Sequence, residues 1–171
     1  QWTKHGMDDL SLSLNFREML DKLRAVQRFG VRGGADGEGV KEFEARVGVR
    51  LIVSEYPQVT VHPETGARAQ YCSPSYIKSI SGLNPRESQQ IMELLWEHAV
   101  RPEFTVRFRW RKGDIAFWDN RATAHLAPND IYQTDFDRQF YRVTLLGEVP
   151  TGIGGSTSRA IEGEPIEAVL S

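Results

Sequence analysis

The stretch that decides the fold alternates between apolar and polar residues: Phe104-Thr105-Val106-Arg107-Phe108-Arg109-Trp110. This period of two predicts a β-strand with one buried face. A turn is predicted at residues 112–114, where Lys-Gly-Asp reverses the chain. Short apolar strands are predicted to follow at residues 115–118 and 140–146. Strands joined by short turns favour an antiparallel sheet.

Two helices are predicted before this sheet. Residues 14–29 are predicted to form an amphipathic helix, because apolar side chains recur at helical spacing between charged ones. The second helix begins at Asn84, which can cap it, with Pro85 in the first position and Glu87 three residues after the cap. It is predicted to run to about His98.

Short strands are predicted between the two helices. Apolar residues cluster from 47 to 61, a turn with Pro and Gly covers 62–66, and residues 68–72 pair as the next strand. Helices that precede a series of strands predict an α+β, mainly β, fold whose core is a sheet sandwich or barrel.

The length of 171 residues predicts a single domain spanning residues 1–171. Residues 30–48 contain six of the fifteen glycines and are predicted to be a Gly-rich mobile loop. This loop is not predicted to bind phosphate, since the sequence predicts no apolar strand before it and no Gly-Lys-Ser/Thr ends it. Residues 151–171 are predicted to form a surface tail.

Composition excludes some classes of partner. The formal net charge is −2, from 21 Lys+Arg and 23 Asp+Glu, which gives no indication of nucleic acid or a membrane surface as a partner. No apolar run approaches the ~20 residues that span a bilayer. Cys72 is the only cysteine, which excludes an intrachain disulfide and fits a reducing compartment. We therefore expect a cytoplasmic protein.

Three residues are candidates for a functional site. His125 closes the segment 118–125, a few residues after a predicted buried strand, although a lone histidine is more often structural than a metal ligand. Arg138 and Arg142 are four apart in a predicted strand, so they share a face and lie roughly 13 Å apart. Each could grip an anion with its planar guanidinium. Equally, this face could meet solvent while residues 141, 143 and 145 enter the core.

Long motifs surround these candidates. They are Phe117-Trp118-Asp119-Asn120-Arg121-x-Thr123-x-His125 and Arg142-Val143-Thr144-Leu145-x-Gly147-x-x-Pro150. Together with the turn at His62-Pro63-Glu64-Thr65-Gly66 and the helix start at 82–88, they closely resemble the C-terminal portion of the taurine dioxygenase family. Residues 158–165 look most similar to its alkylsulfatase branch.

The resemblance implies a double-stranded β-helix, or jelly roll, with flanking helices, incomplete at its N-terminal side. It implies Fe(II) as cofactor, with 2-oxoglutarate and O₂ as cosubstrates. By resemblance, His125 is a metal ligand, Arg138 binds the far carboxylate of 2-oxoglutarate, and Arg142 binds the anionic end of the substrate. The family also implies a small anionic organic substrate and a homo-oligomer, a dimer or tetramer.

The chain departs from the family pattern in its metal ligands. The resemblance implies that the other two ligands lie in a His-x-Asp motif, which does not occur in the sequence, and that Gln1 aligns just after that motif. His62-Pro63-Glu64 has the form His-x-Glu but matches a turn of the family, so we reject it as a replacement. Leu126 and Tyr141 stand where the family usually has an aromatic residue and a histidine, which leaves the substrate open.

The implied activity is that of a non-heme dioxygenase. It hydroxylates the carbon next to the heteroatom of an alkyl sulfate or a sulfonate such as taurine, and releases an aldehyde plus sulfate or sulfite, with succinate and CO₂. Two alternatives stay open: the same chemistry on another anionic substrate, such as an aryloxy or alkyl carboxylate, or a truncated, metal-free, anion-binding fold without catalysis.

Overall fold

The computed structural model describes residues 2–4, 11–29, 52–71, 73–126, 139–145 and 147–162. Two α-helices lie in these ranges, α1 (Leu14–Leu20) and α2 (Pro85–Ala99). The strands are β1 (Trp2–Lys4), β2 (Arg24–Phe29), β3 (Ile52–Pro57), β4 (Val59–Val61), β5 (Arg68–Gln70), β6 (Ile77–Ile80), β7 (Thr105–Val106), β8 (Thr123–His125) and β9 (Arg159–Glu162). Single 3₁₀ turns occur at Pro102–Phe104 and Ile153–Gly155.

The described strands form three antiparallel sheets. The largest has the order β6-β2-β3-β9, and β2 pairs along its whole length with β3, from Arg24 opposite Pro57 to Phe29 opposite Ile52. The second has the order β7-β1-β8, and the third is the hairpin of β4 and β5. The short strands and the turn predicted between residues 52 and 70 are confirmed.

Helix α2 forms where the sequence predicted it because its N-terminus is capped locally. The Asn84 side chain accepts the backbone N–H of Glu87 at 3.0 Å, and the Glu87 carboxylate accepts the N–H of Asn84 at 3.0 Å. This capping box satisfies two N–H groups that the first turn leaves without partners. The helix then buries Met92 and Leu95 against the sheets.

The core consists of two neighbouring clusters. One contains Ala25, Ile77, Ile80 and Met92, and the other contains Leu20, Val59 and Leu95. Leu23 and Ile91 pack against both, so the apolar side of α2 reaches the large sheet and the β4–β5 hairpin together. The part of the chain that the structure describes has no helix long and apolar enough to cross a membrane.

The predicted helix over residues 14–29 is wrong in its second half. The helix ends at Leu20, and after a tight turn the chain continues as β2. Phe16, Leu20 and Leu23 do face the core at helical spacing, which is why the pattern predicted a longer helix. Pairing decides the rest, because β2 lies between β3 and β6 and its backbone groups bond on both sides.

The strands predicted at residues 104–110, 115–118 and 140–146 are also corrected. Only Thr105–Val106 is a strand, and residues 107–118 and 139–145 pair with none of the described residues. The turn at 112–114 is present, with Gly113 at φ 90° and the Arg111 N–H bonded to the Asp114 carboxylate at 2.7 Å. Alternation of apolar and polar residues predicts which side chains are suited to burial. A strand also needs a neighbouring strand that bonds its backbone N–H and C=O groups.

The remaining predictions fall partly outside the described residues. The Gly-rich loop at 30–48 and residues 163–171 of the predicted surface tail lie outside them. Within the tail, residue Gly152 bridges to Thr60, and β9 adds to the edge of β3.

Candidate active site

His125 is the last residue of β8, opposite Trp2 in β1. Its imidazole packs against the Trp118 indole, with ring centroids 5.2 Å apart. Partial burial and the positive charge of Arg142 hold the pKa of His125 below its ordinary value of 6.5. Both causes disfavour the protonated ring, and the unprotonated ring is the form that a metal ion binds.

An aromatic cluster, defined here as Trp2, Phe108, Trp110, Trp118 and Phe140, surrounds this position. The Trp2 ring centroid lies 5.7 Å from that of Trp118 and 6.1 Å from that of Trp110. Phe140 meets Trp110 edge to face at 5.1 Å. Such tilted arrangements are favourable between aromatic quadrupoles. The five rings therefore form one connected cluster, and its member Trp118 contacts His125.

Of the two candidate arginines, Arg142 lies within the described residues and Arg138 does not. Arg142 is exposed and lies close enough to His125 for its charge to lower the pKa of that imidazole. Arg138 lies outside the described residues. The alternative in which the neighbours of Arg142 enter the core is not seen, because Tyr141, Val143 and Leu145 are almost fully exposed.

A buried histidine at the β4–β5 turn contacts the segment that leads to His125. His62 is 8% exposed, and its Nδ1 accepts the backbone N–H groups of Glu64 at 3.2 Å and Thr65 at 3.3 Å. Because Nδ1 is an acceptor, the ring proton lies on Nε2, which donates to Oδ2 of Asp119 at 2.9 Å. This geometry agrees with the interpretation of residues 62–66 as a turn rather than as a His-x-Glu metal pair.

Asp119 organises the turn before β8. Its Oδ1 accepts the Arg121 N–H at 2.8 Å, and its carbonyl oxygen accepts the Thr123 N–H at 3.0 Å and the Thr123 hydroxyl at 2.7 Å. The Arg121 guanidinium, and then His62, hold the pKa of Asp119 far below its ordinary range. The carboxylate is therefore ionised at neutral pH and accepts from Arg121 and His62 at once.

Arg121 joins three segments of the chain. Its guanidinium donates to Asp119 at 2.7 Å, to Glu64 at 3.0 Å and to Glu148 at 3.1 Å. Asp119 and, after it, Glu64 raise the pKa of Arg121 above its already high value. Sequence reasoning missed this network, since it treated His62 only as a turn residue. The available signal was a histidine at the start of a predicted turn together with an Asp-x-Arg pair before the candidate ligand.

The described residues suit a metal only in part. His125 offers an accessible imidazole beside an arginine and an aromatic wall, which fits one ligand of an iron centre. Among the described residues no group of three or more His, Cys, Asp or Glu side chains could hold a metal ion. The complete ligand set is therefore not contained in that part of the chain.

Comparisons with known proteins agree with these features. Residues 11–144 match the family described as taurine catabolism dioxygenase TauD, TfdA. The alpha-ketoglutarate-dependent sulfate ester dioxygenase of Pseudomonas putida is 39% identical over 148 residues, which cover 84% of this chain and 48% of that protein. An alkylsulfatase of Acinetobacter baylyi is 43% identical over 102 residues, covering 60% of this chain and 31% of that protein.

A solved structure extends the match to the fold. The crystal structure of a taurine dioxygenase from Burkholderia xenovorans superposes with a TM-score of 0.81 at 52% identity, covering 95% of this chain and 53% of that one. This confirms the predicted fold class, a partial jelly roll with flanking helices. The chain spans about half the length of the curated relative from Pseudomonas putida. The chain belongs to the taurine catabolism dioxygenase TauD, TfdA family.

Proposed function

We propose that the protein is an Fe(II)/2-oxoglutarate-dependent dioxygenase that acts on a small organic anion, an alkyl sulfate or a sulfonate. It hydroxylates the carbon next to the heteroatom, and the product breaks down to an aldehyde and sulfate or sulfite, with succinate and CO₂ as coproducts. The observation that carries the proposal is the placement of His125 beside Arg142 on an aromatic cluster, in a chain of this family.

The chain's own residues would bind, orient and shield the reactants. His125 would supply one imidazole ligand, and Arg142 would hold the anionic head of the substrate with its planar fork. Arg138 is proposed to bind the far carboxylate of 2-oxoglutarate. The aromatic cluster would form an apolar wall for the alkyl part and keep water from it. Bound Fe(II), with 2-oxoglutarate and O₂, supplies the oxidising power for the C–H bond.

The proposed substrate class rests on the relatives. The Pseudomonas putida protein is named for sulfate esters, and the Acinetobacter baylyi protein is named an alkylsulfatase. A fixed guanidinium suits a sulfate or sulfonate group, because both present several acceptor oxygens to its donors. We also propose that the protein acts in the cytoplasm as a homo-oligomer.

The proposal requires two metal ligands besides His125. No His-x-Asp occurs in the sequence, and His62 is engaged by its turn and by Asp119. We propose that these ligands lie outside these 171 residues, since one imidazole cannot replace three ligands.

The test is substrate-dependent succinate release from Fe(II), 2-oxoglutarate and O₂, measured over a panel of alkyl sulfates, sulfonates and carboxylates. We expect sulfates or sulfonates to support release and His125→Ala to abolish it. Arg142→Gln should raise the KM for the anion by about 10- to 100-fold, the value of a hydrogen bond to a charged group. Arg101→Gln, which removes an exposed arginine that bonds to Glu103, is the matched control.

Each outcome of this panel has a clear meaning. Release supported by carboxylates alone would show that the substrate class is wrong and favour the carboxylate alternative. Full turnover by His125→Ala would remove that residue as a ligand. No substrate-dependent release by the full-length protein would favour the metal-free, anion-binding fold.

A further inference from the structure

We propose that His62 is a positioning residue for the metal site, a role that rests on the proposed function. It is not a ligand and does not touch the proposed substrate. It holds the Asp119 carboxylate with its Nε2–H at 2.9 Å, and through Asp119 it fixes the turn that presents His125. Residues that orient metal ligands from outside the coordination sphere typically change metal affinity when they are removed.

The His62 end of this link is rigid. Its side chain is buried, and both nitrogens are used, Nδ1 by the two turn N–H groups and Nε2 by Asp119. Its own backbone closes the hairpin, because its N–H bonds to Ala67 at 2.8 Å and its carbonyl oxygen accepts from Gly66 at 2.9 Å. Strand β4, directly before it, carries Val59 in the core. The ring therefore has a fixed direction relative to the packed part of the molecule.

The Asp119 end of the link connects the fixed His62 ring to the strand that carries His125. The carbonyl and carboxylate of Asp119 bind the backbone of residues 121–123, and Thr123 is the first residue of β8. Only Ala124 separates Thr123 from His125. Asp119 therefore holds the first residue of β8 at its N-terminal end, while pairing with β1 holds the strand along its edge.

The other contacts of this turn do not anchor it in the same way. The ion pair of Arg121 with Asp119 lies within the turn, so both partners move together. Glu64 and Glu148 reach Arg121 with carboxylates that are 72% and 60% exposed, and exposed ion pairs of this kind contribute little. Among the contacts that the structure describes for Asp119 and Arg121, His62 is the buried anchor.

Two substitutions at His62 separate its two hydrogen-bonding roles. His62→Asn keeps an acceptor where Nδ1 serves the turn but loses the donor to Asp119. His62→Gln keeps a donor near the position of Nε2 but loses the turn acceptor. Asp21→Asn is the matched control, because it breaks the ion pair with Arg68, whose strand follows the same turn.

The main readout is Fe(II) affinity of the full-length protein, measured anaerobically by calorimetric titration. We expect His62→Asn to weaken Fe(II) binding by about tenfold, the lower end for residues that orient metal ligands. The Fe(II) affinities of His62→Gln and Asp21→Asn should lie within about twofold of that of the parent. The order of the Fe(II) affinities among the variants should differ from the order of their Tm values. Equal affinity of His62→Asn and the parent would overturn the positioning role.

A second readout keeps this role separate from the proposed function. If the parent protein binds no Fe(II), the proposed function fails, and hydrogen exchange then decides the positioning claim. Exchange of peptide 119–125 should rise in His62→Asn but not in Asp21→Asn, with α2 unchanged in both. Unchanged exchange at 119–125 in His62→Asn would show that His62 does not position this turn.

Discussion

Two regions of the molecule bury their apolar residues to different extents. The packed half, defined as residues 14–29, 52–100 and 151–162, contains all the buried hydrophobic residues among those described. The site half, defined as residues 2–4, 105–126 and 139–145, leaves large side chains such as Ile115 and Phe117 exposed. Its order comes from the β7-β1-β8 sheet, from ring contacts and from the network of His62, Asp119 and Arg121. Stability and the candidate chemistry are therefore carried by different residues.

The largest difference in the free energy of unfolding is expected between a truncation in the core and one on the surface. Leu95 is 1% exposed and packs with Leu20 and Val59, so Leu95→Ala should lower the free energy of unfolding by about 2–5 kcal/mol through lost burial and a cavity. Phe117 is 94% exposed, so Phe117→Ala should change it by less than about 0.5 kcal/mol. Urea unfolding of both variants measures the difference. A comparable loss of unfolding free energy in the two variants would show that Phe117 of the site half also contributes to the hydrophobic core.

The packed half should also respond to acid through a buried carboxylate. Burial raises the pKa of Glu55, but its bonds to Ser81, Arg24 and Arg159 lower it more, so the pKa lies below the ordinary 4.5. Its ionised form therefore stabilises the fold above about pH 4.5, and this contribution is lost as the pH falls through the lowered pKa.

Glu55→Gln should remove that acid dependence. It keeps the size of the side chain but leaves the guanidinium groups of Arg24 and Arg159 without their anion. Because Arg159 is mostly exposed, we expect a loss of about 1–3 kcal/mol, less than for a fully buried pair. The Tm measured between pH 3 and 7 should fall less steeply on acidification than in the parent. An unchanged slope would show that other carboxylates control the acid response.

The sequence predicted elements well where the deciding contacts are local. Helix α2 follows from Asn84, Pro85 and Glu87, which lie within four positions of one another. Strand β2 was missed because its partners lie in β3 and β6, far along the chain, and local spacing cannot report them. The site shows the same limit, since the contact of His62 with Asp119 spans 57 positions. The roles of His125 and Arg142 stay predictions, and they rest on motif resemblance, which carries nonlocal information that spacing alone lacks.

The smallest effects concern two asparagines, one in each half. Asn84 caps α2 with its side chain, and Asn84→Ala should lower the free energy of unfolding by about 1 kcal/mol. Asn120 accepts the Trp118 indole N–H at 2.9 Å at an exposed position, where water can replace it. Asn120→Ala should therefore cost less than about 0.5 kcal/mol. If Asn120→Ala instead matched Asn84→Ala in urea unfolding, the polar contacts around Trp118 would contribute to global stability, and the division between the two halves would have to be redrawn.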